Sequence, residues 1–147
     1  MRILVQRVLE ASVSVEGDVV GQIGRGLLVF LGIRSEDRPH NAEQLVKKLS
    51  NLRIFPDSAG KMNRSLLDIS GQLLVVSQFT LYGDTRKGNR PSYDAAAPVA
   101  LAKPLYEYFV QHCRTVGLSV QTGVFQAQMQ VNLVNDGPVT LLCSSEN

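Results

Sequence analysis

The sequence from Gln72 to Tyr82 is typical of a buried strand, but its second half becomes polar without losing β character. The polar side chains there that could do chemistry are Ser77, Gln78 and Thr80. A hydroxyl group attacks a carbonyl carbon only when a base removes its proton, and the spacing of His40 and His112 does not show whether either reaches this segment. Alternatively, these polar groups hydrogen-bond to neighbouring backbone groups.

A second segment with unusual chemistry, Asn135 to Thr140, reads Asn-Asp-Gly-Pro-Val-Thr. Its composition predicts a sharp turn between two strands. The peptide bond before Pro138 can also be cis, as about 5–6% of X-Pro bonds in folded proteins are, and would then aim consecutive carbonyl oxygens in one direction. Such oxygens could hold an ammonium group while excluding a side chain of one handedness.

Several well-known sequence motifs of catalytic and nucleotide-binding sites are absent from the sequence. It contains no G-x-S-x-G, no G-x-x-x-x-G-K-[ST], no H-E-x-x-H and no glycine-rich dinucleotide fingerprint. Cys113 and Cys143 form no C-x-x-C pair and are predicted to be buried thiols, whereas His40 and His112 fall in predicted helices. We therefore predict neither a metal site nor a cofactor.

The 147 residues, 44% of them hydrophobic, fit one globular domain over residues 1–147. A net charge of +2 does not by itself require a nucleic-acid partner. The longest apolar run, Leu27 to Leu31, is too short for a membrane span, and Met1 to Arg7 is typical of a first strand rather than a secretory signal. We expect a cytoplasmic protein with no membrane partner.

A basic loop is predicted from Gly83 to Ser92, where glycine, asparagine and proline accompany three cationic side chains. These cations are Arg86, Lys87 and Arg90. They could contact a polyanion or simply keep the loop solvated, and both interpretations stay open. Lys47 and Lys48 are interpreted as a solvated helix surface.

A first helix is predicted from the spacing of apolar residues between Ala42 and Leu52. Pro39 suits its first turn, and Asp37 or Ser35 could cap its start. A second helix is predicted from Val99 to Cys113 and should end near Gly117. Pro98 fits its first turn, and Pro104 either starts the regular helix or bends it.

Strands are predicted on both sides of the helices. Ala11 to Val15 alternates in polarity, and Leu27 to Ile33 is apolar between glycines. Val124 to Leu133 also alternates, which predicts a strand with Phe125 and Met129 on its apolar face and the glutamines on the other. This order predicts an α+β fold, an antiparallel β-barrel or roll with two helices packed outside.

The two chemically unusual segments together resemble the signature motifs of the D-aminoacyl-tRNA deacylases. They read Ser77-Gln78-Phe79-Thr80-Leu81-Tyr82 and Asn135-Asp136-Gly137-Pro138-Val139-Thr140. The resemblance extends over the whole chain, including Met1-Arg2, Arg53-Ile54-Phe55, Met62-Asn63 and residues 123–131. It implies a homodimer that cleaves the ester between a D-amino acid, or misplaced glycine, and the 3′-terminal adenosine of tRNA.

The resemblance also implies roles for individual residues. Those that would line the scissile ester are Ser77, Gln78, Phe79 and Thr80. Gly137 and Pro138 would enter the partner subunit's pocket as a cis dipeptide that excludes L side chains, and Phe125 and Met129 would hold the terminal adenine. With tRNA as the partner, the basic loop becomes a candidate contact for the RNA backbone.

Two mechanisms are compatible with this resemblance. Thr80 could be a nucleophile, but no base is evident to activate it. Backbone N–H groups near Phe79 could instead polarise the ester carbonyl while the ribose 2′-hydroxyl helps to activate water, and the resemblance favours this route. Two other functions stay open, a non-catalytic RNA-binding β-module and a hydrolase of small D-amino acid esters or peptides.

Overall fold

The structure is a computed structural model that describes residues 1–146. Its strands are β1 (Arg2–Val15), β2 (Asp18–Ile23), β3 (Gly26–Gly32), β4 (Phe55–Pro56), β5 (Met62–Arg64), β6 (Gln72–Ser77), β7 (Ser119–Thr122) and β8 (Gln130–Ser144). Its helices are α1 (Pro39–Asn51), α2 (Val99–Thr115) and a short 3-10 helix (Phe79–Tyr82). Neither α1 nor α2 has the length and apolar character of a membrane-crossing helix, and no other helix in residues 1–146 does.

Strand β1 is the centre of a six-stranded sheet. Along one edge it pairs with β3 and then with β2, and along the other it pairs with β8 over most of its length. The sheet continues from β3 to β6 and β7, and these last two pairings are parallel because α1 and α2 cross over between the strands. The sheet is therefore mixed, whereas the sequence predicted an antiparallel one.

The sheet curls until its two outer strands, β2 and β7, approach each other. A Cβ on Gly21 of β2 would lie 2.4 Å from the carbonyl oxygen of Thr122 in β7, so only glycine allows this contact. The result is a nearly closed barrel with two helices packed outside. The predicted α+β architecture is confirmed.

Apolar side chains from both helices meet one face of this sheet. Leu45 and Leu49 of α1 and Phe109 of α2 are buried with Val29 of β3 and Val75 of β6 in one cluster. A second cluster fills the other face of the same strands and contains Val8, Val13, Leu28, Leu74 and Val76. Burial on both faces explains why β6 is an apolar run in the sequence.

Helix α1 is capped differently from the prediction. Its N-cap is Arg38, whose backbone N–H donates to Oδ1 of Asn41 at 2.8 Å, and not Asp37 or Ser35. The buried Asp37 carboxylate instead accepts hydrogen bonds from the Met1 amino group and the Arg34 backbone N–H. A charged group held by two donors outside the helix is not free to cap it.

Helix α2 begins at Val99 and contains Pro104 in its interior, so the alternative in which Pro104 starts the regular helix is wrong. Pro98 is its N-cap residue rather than part of its first turn. Pro104 lies where the first turn has ended, and the loss of one backbone hydrogen bond there is tolerated.

The predicted strand from Val124 to Leu133 is wrong in its first half. Residues 123–129 form no strand, and β8 begins only at Gln130. The alternation in burial is nevertheless real, because Phe125, Ala127 and Met129 are half-buried while the glutamines between them are exposed. A segment that lines a cavity also alternates buried and exposed side chains, as a strand does, when its other side faces solvent.

The predicted break at Asn135 to Pro138 does not separate two strands either. Strand β8 runs on to Ser144, with residues 136–139 forming an excursion between the pairs Val8–Asn135 and Gln6–Thr140. The side-chain N–H groups of Asn135 close its base, donating to Arg7 O at 2.9 Å and to Val139 O at 3.1 Å.

Candidate active site

A cavity of about 710 Å³ opens where β3 and β6 end, beside the start of α2. The residues predicted from the sequence that line it are Ser77, Gln78, Phe79, Phe125 and Met129. Its other lining residues are Leu31, Ile33, Val76, Tyr93, Ala96, Ala97, Pro98, Val99, Ala102, Gln126, Ala127, Gln128 and Val131. The fold thus brings together two segments that lie about fifty residues apart in the sequence.

The polar end of β6 forms one wall because the strand stops at Ser77 and the chain turns into the 3-10 helix. Gln78 anchors this turn by donating its backbone N–H to Leu31 O at 2.8 Å, and its side-chain amide donates to the Thr80 hydroxyl. The first N–H groups of a helix have no partner within it. Among the hydrogen bonds within residues 1–146, none has the backbone N–H of Phe79 or Thr80 as its donor.

Aromatic residues shape the mouth and the inner wall of the cavity. At the mouth, exposed Phe79 makes an edge-to-face contact with Tyr93, with ring centroids 5.1 Å apart. Inside, Phe125 packs on Tyr106 at 5.5 Å, and the Tyr106 hydroxyl donates to Val75 O at 2.9 Å. Burial raises the pKa of Tyr106 to about 12, so it is a neutral support at physiological pH.

Met129 owes its position to Gly123. A Cβ at residue 123 would lie 2.6 Å from the sulfur of Met129, so any larger residue would displace that side chain. Gly123 in turn is held by its N–H, which donates to Val75 O at 3.2 Å. The same strand therefore supports both Phe125 and Met129.

No lining residue carries a carboxylate, imidazole, thiol, amine or guanidinium group. His40 lies in the first turn of α1, and His112 stacks on Tyr108 near the end of α2. Cys113 is buried and Cys143 is half-buried, and burial raises the pKa of Cys113 to about 12. Within residues 1–146 no cluster of His, Cys, Asp or Glu side chains is arranged to hold a metal ion.

Thr80 does not line the cavity, although it is adjacent to residues that do. Its side chain is exposed, and its hydrogen-bond partner within residues 1–146 is the Gln78 amide. No lining residue supplies a base to the Thr80 hydroxyl. Within residues 1–146, this hydroxyl has no hydrogen bond to a carboxylate or imidazole group.

Gly137 and Pro138 also lie outside this cavity. They are exposed on the excursion of β8, and the peptide bond between them is cis. Arg7 of β1 lies beneath them: its Nε is 3.1 Å from Oδ2 of Asp136, and its Nη1 donates to Ile54 O at 2.6 Å. Within one chain, these residues are separate from the walls that hold Ser77 and Phe125.

The basic loop is closed by a pair of backbone hydrogen bonds between Asp84 and Ser92, at 2.7 and 3.0 Å. Within it, the Arg86 guanidinium donates to both carboxylate oxygens of Asp84, and these bonds lower the pKa of Asp84 to about 2. Lys87 and Arg90 are exposed and have no ion-pair partner within residues 1–146. The loop adjoins the cavity because Tyr93, directly after Ser92, lies at its mouth.

Sequence reasoning missed several residues of this region. Tyr93 lies in a segment with no periodicity, and the alternation from Val124 to Leu133 predicts Gln126 on the solvent side of a strand. The 3-10 helix is also held from behind, where the Tyr82 hydroxyl donates to Glu146 at 2.6 Å and the Arg2 guanidinium donates to Leu81 O at 3.3 Å. No local pattern links the two ends of the chain to this helix.

Comparisons with known proteins give one consistent family. The family model described as D-Tyr-tRNA(Tyr) deacylase matches residues 4–144. A D-aminoacyl-tRNA deacylase from Thermosipho africanus is 59% identical over 146 residues, covering 99% of this chain and 98% of that protein. One from Koribacter versatilis has the same identity and coverage.

Solved structures share the fold. One titled "c-Myc DNA Unwinding Element Binding Protein" superposes with a TM-score of 0.94 at 42% identity, and the match covers 100% of both chains. A probable eukaryotic D-amino acid tRNA deacylase superposes with a TM-score of 0.83 at 18% identity over 97% of both chains. At that identity the second likeness shows the fold alone.

Proposed function

The chain belongs to the D-Tyr-tRNA(Tyr) deacylase family and is a hydrolase of the D-aminoacyl-tRNA deacylase class; on that premise we propose that it cleaves the ester joining a D-amino acid to the 3′-terminal adenosine of tRNA. The observation that carries the proposal is a cavity with two unpartnered backbone N–H groups beside it and no acidic or basic side chain in its walls. We therefore expect the substrate itself to supply a group that helps to activate the attacking water.

In the proposed reaction, the Phe79 and Thr80 N–H groups donate to the ester carbonyl oxygen and stabilise the negative charge that develops on it. A water molecule, activated with help from the ribose 2′-hydroxyl, attacks the carbonyl carbon. The bond to the ribose 3′-oxygen then breaks, and that oxygen takes a proton. The products are a free D-amino acid and a tRNA with an intact 3′ end.

The half-buried pair Phe125 and Met129 is proposed to hold the terminal adenine. Both side chains line the cavity. Phe125 packs on Tyr106, and Met129 occupies the space that Gly123 leaves open. Apolar and aromatic walls of this kind are typical of pockets that receive an unstacked base.

We propose that the active enzyme is a homodimer in which Gly137 and Pro138 enter the partner subunit's cavity and exclude L side chains. Two observations support this proposal. The excursion that carries them is exposed, and so are the apolar side chains Leu9, Val134 and Leu142 on the paired strands β1 and β8. A second protomer packed on these two strands would bury apolar side chains that one protomer leaves exposed.

Gly137 and Pro138, as a chiral filter, would exclude a substrate by its side chain. Glycine has no side chain, so we propose it as a second substrate when it is attached to the wrong tRNA. The basic loop, with Arg86, Lys87 and Arg90, is proposed to contact the tRNA backbone beside the cavity. Of the three, Lys87 and Arg90 carry the free charge, because Arg86 is paired with Asp84. We also propose that the enzyme acts in the cytoplasm.

The proposal is tested by incubating the purified, chelator-treated protein with matched D- and L-tyrosyl-tRNA and following loss of the ester. Rapid loss of the D form alone is the expected result. Binding of tRNA without loss of either ester would favour a nucleic-acid-binding module. Equal hydrolysis of a free D-tyrosyl ester and of D-tyrosyl-tRNA would favour a hydrolase of small esters, and equal loss of D and L forms would rule out Gly137 and Pro138 as the filter.

A further inference from the structure

Gln126 has a backbone conformation that glutamine seldom adopts. Its φ is +67°, and it is the third residue of a turn in which the Ala127 N–H donates to Val124 O at 3.2 Å. Glycine is the usual residue at a turn position with positive φ, because a Cβ there is crowded by the backbone. A glutamine at this position therefore strains the turn.

The strain at Gln126 coincides with the cavity. Within residues 1–146, the other residues besides glycine with positive φ are Glu16 and Ser70, and neither of them lines the cavity. Non-glycine residues in strained conformations cluster at functional sites, where the side chain has a use that offsets the cost. This coincidence points to a role for the Gln126 side chain itself.

The amide group of Gln126 is available to a ligand. The side chain is exposed at the cavity wall, and within residues 1–146 it has no hydrogen-bond partner. Its neighbour Phe125 is fixed on Tyr106, so the backbone from which the amide projects is held in place. The aromatic pair Phe79 and Tyr93 lies at the same mouth.

We propose that Gln126 is a specificity-determining residue whose side-chain amide recognises the edge of the terminal adenine. This inference rests on the proposed function. A primary amide presents an acceptor oxygen and donor N–H groups side by side. This pattern complements the adenine amino group and the ring nitrogen next to it, a pairing that glutamine makes with adenine elsewhere. Aromatic contact to the base face and hydrogen bonds to its edge together are typical of recognition of unstacked bases.

The test compares two ligands that differ only at the base edge. They are the D-phenylalanyl amides of 3′-amino-3′-deoxyadenosine and of the corresponding purine nucleoside, which lacks the exocyclic amino group. The amide bond replaces the ester so that the ligands survive, and affinity is measured by calorimetry with the full chain. The wild type should bind the adenosine analogue about fivefold or more tightly than the purine analogue. Gln126→Gly and Gln126→Ala should bind the two equally.

Matched variants separate recognition from folding. Gln128→Ala removes a neighbouring amide that also lines the cavity, and Glu16→Gly relieves positive φ far from it. Both should keep the wild-type preference. Gln126→Gly should also melt about 2–4 °C above Gln126→Ala, because glycine relieves the strain. A Gln126→Gly variant that melts no higher than Gln126→Ala would remove the strain argument and overturn the inference.

The two proposals fail in different ways. A wild type that hydrolyses D-tyrosyl-tRNA but binds both analogues equally would overturn the role of Gln126 and leave the proposed function intact. Loss of the preference in Gln128→Ala, with the preference kept in the Gln126 variants, would overturn the role of Gln126 in the same way. A wild type that hydrolyses neither ester and binds neither analogue would overturn both proposals.

Discussion

Nε of Arg7 lies 3.1 Å from Oδ2 of Asp136, and another nitrogen of the same guanidinium donates to Ile54 O at 2.6 Å. One side chain of β1 therefore joins the excursion that carries Gly137 and Pro138 to the segment after α1. Arg7 is only 9% exposed, so its charge is held by these partners rather than by water. The position of the proposed chiral filter depends on this residue.

Arg7→Lys should weaken both the fold and the discrimination between D and L substrates. Lysine has a single ammonium group and cannot contact Asp136 and Ile54 in the geometry of the guanidinium. Loss of a buried hydrogen bond from a charged group costs about 1.5–3 kcal/mol of unfolding free energy, which urea denaturation measures. The ratio of D- to L-tyrosyl-tRNA hydrolysis should fall. The control is Arg25→Lys, which changes an exposed arginine. An unchanged ratio of D- to L-tyrosyl-tRNA hydrolysis in Arg7→Lys would mean that Arg7 does not position Gly137 and Pro138.

Thr80→Ala should keep most of the activity. The Thr80 hydroxyl is exposed, its contact is the Gln78 amide, and no base lies in the cavity wall. If backbone N–H groups and the ribose hydroxyl carry the reaction, removing this oxygen should lower kcat by about tenfold at most, as measured in single-turnover assays with D-tyrosyl-tRNA. Thr85→Ala in the basic loop is the matched control. A loss of about a thousandfold, the scale for removal of a catalytic unit, would make Thr80 a nucleophile instead.

The helices and the apolar strands could be predicted because their buried side chains follow the pattern typical of each element. Apolar residues recur at helical spacing in the helices, and they alternate or form short runs in the strands. Val124 to Leu133 shows where this reasoning stops. There the alternation came from a cavity wall, and the chain forms a turn at Gln126 instead of pairing with a neighbour. Period alone reports which side chains are buried, and it does not report whether the backbone groups have a partner strand.

The candidate site could be predicted in part for a similar reason. The change from apolar to polar along β6 marked Ser77 and Gln78, because a buried strand gives no local reason for polar side chains. Tyr93 and Tyr106 could not be found, because each reaches the site through a contact with a residue far away in the sequence. Asn135 to Pro138 has the composition of a turn, yet bonds from Asn135 to Arg7 O and Val139 O keep it within one strand.

Stability should fall in acid in a way that depends on Glu146. Partial burial raises the pKa of this carboxyl, but hydrogen bonds from Tyr82 and Arg2 outweigh it and hold the pKa below its ordinary value of 4.5. A carboxylate with a lowered folded-state pKa stabilises the fold above its unfolded pKa, and that contribution is lost as pH falls through the folded value. Glu146→Gln should therefore have a lower melting temperature than the wild type at pH 7. Below about pH 4.5 its melting temperature should fall less than that of the wild type, because it has no carboxylate to protonate at this position.

The exposed Glu107→Gln variant is the control for Glu146→Gln and should follow the wild-type curve. Because Tyr82 ends the 3-10 helix that carries the Phe79 and Thr80 N–H groups, Glu146→Gln should also lower kcat more than it changes KM. Melting curves of Glu146→Gln that parallel the wild type from pH 7 to pH 3 would contradict the assigned role of this carboxylate.

The basic loop should contribute to tRNA binding through Lys87 and Arg90 more than through Arg86. The Arg86 guanidinium is held by both oxygens of Asp84, so replacing it exposes a carboxylate as well as removing a cation. Each phosphate contact made by a free cation contributes about 0.7–0.9 to the slope of log affinity against log salt concentration. The Lys87→Ala, Arg90→Ala double variant should therefore reduce that slope by about 1.4–1.8 in filter-binding titrations with tRNA. The control is the Lys47→Ala, Lys48→Ala double variant, which removes the same net charge from α1. It should leave the slope unchanged, because that helix surface is interpreted as solvated. Equal reductions of the slope in the two double variants would mean that the net charge of the protein, and not the loop, sets the salt dependence.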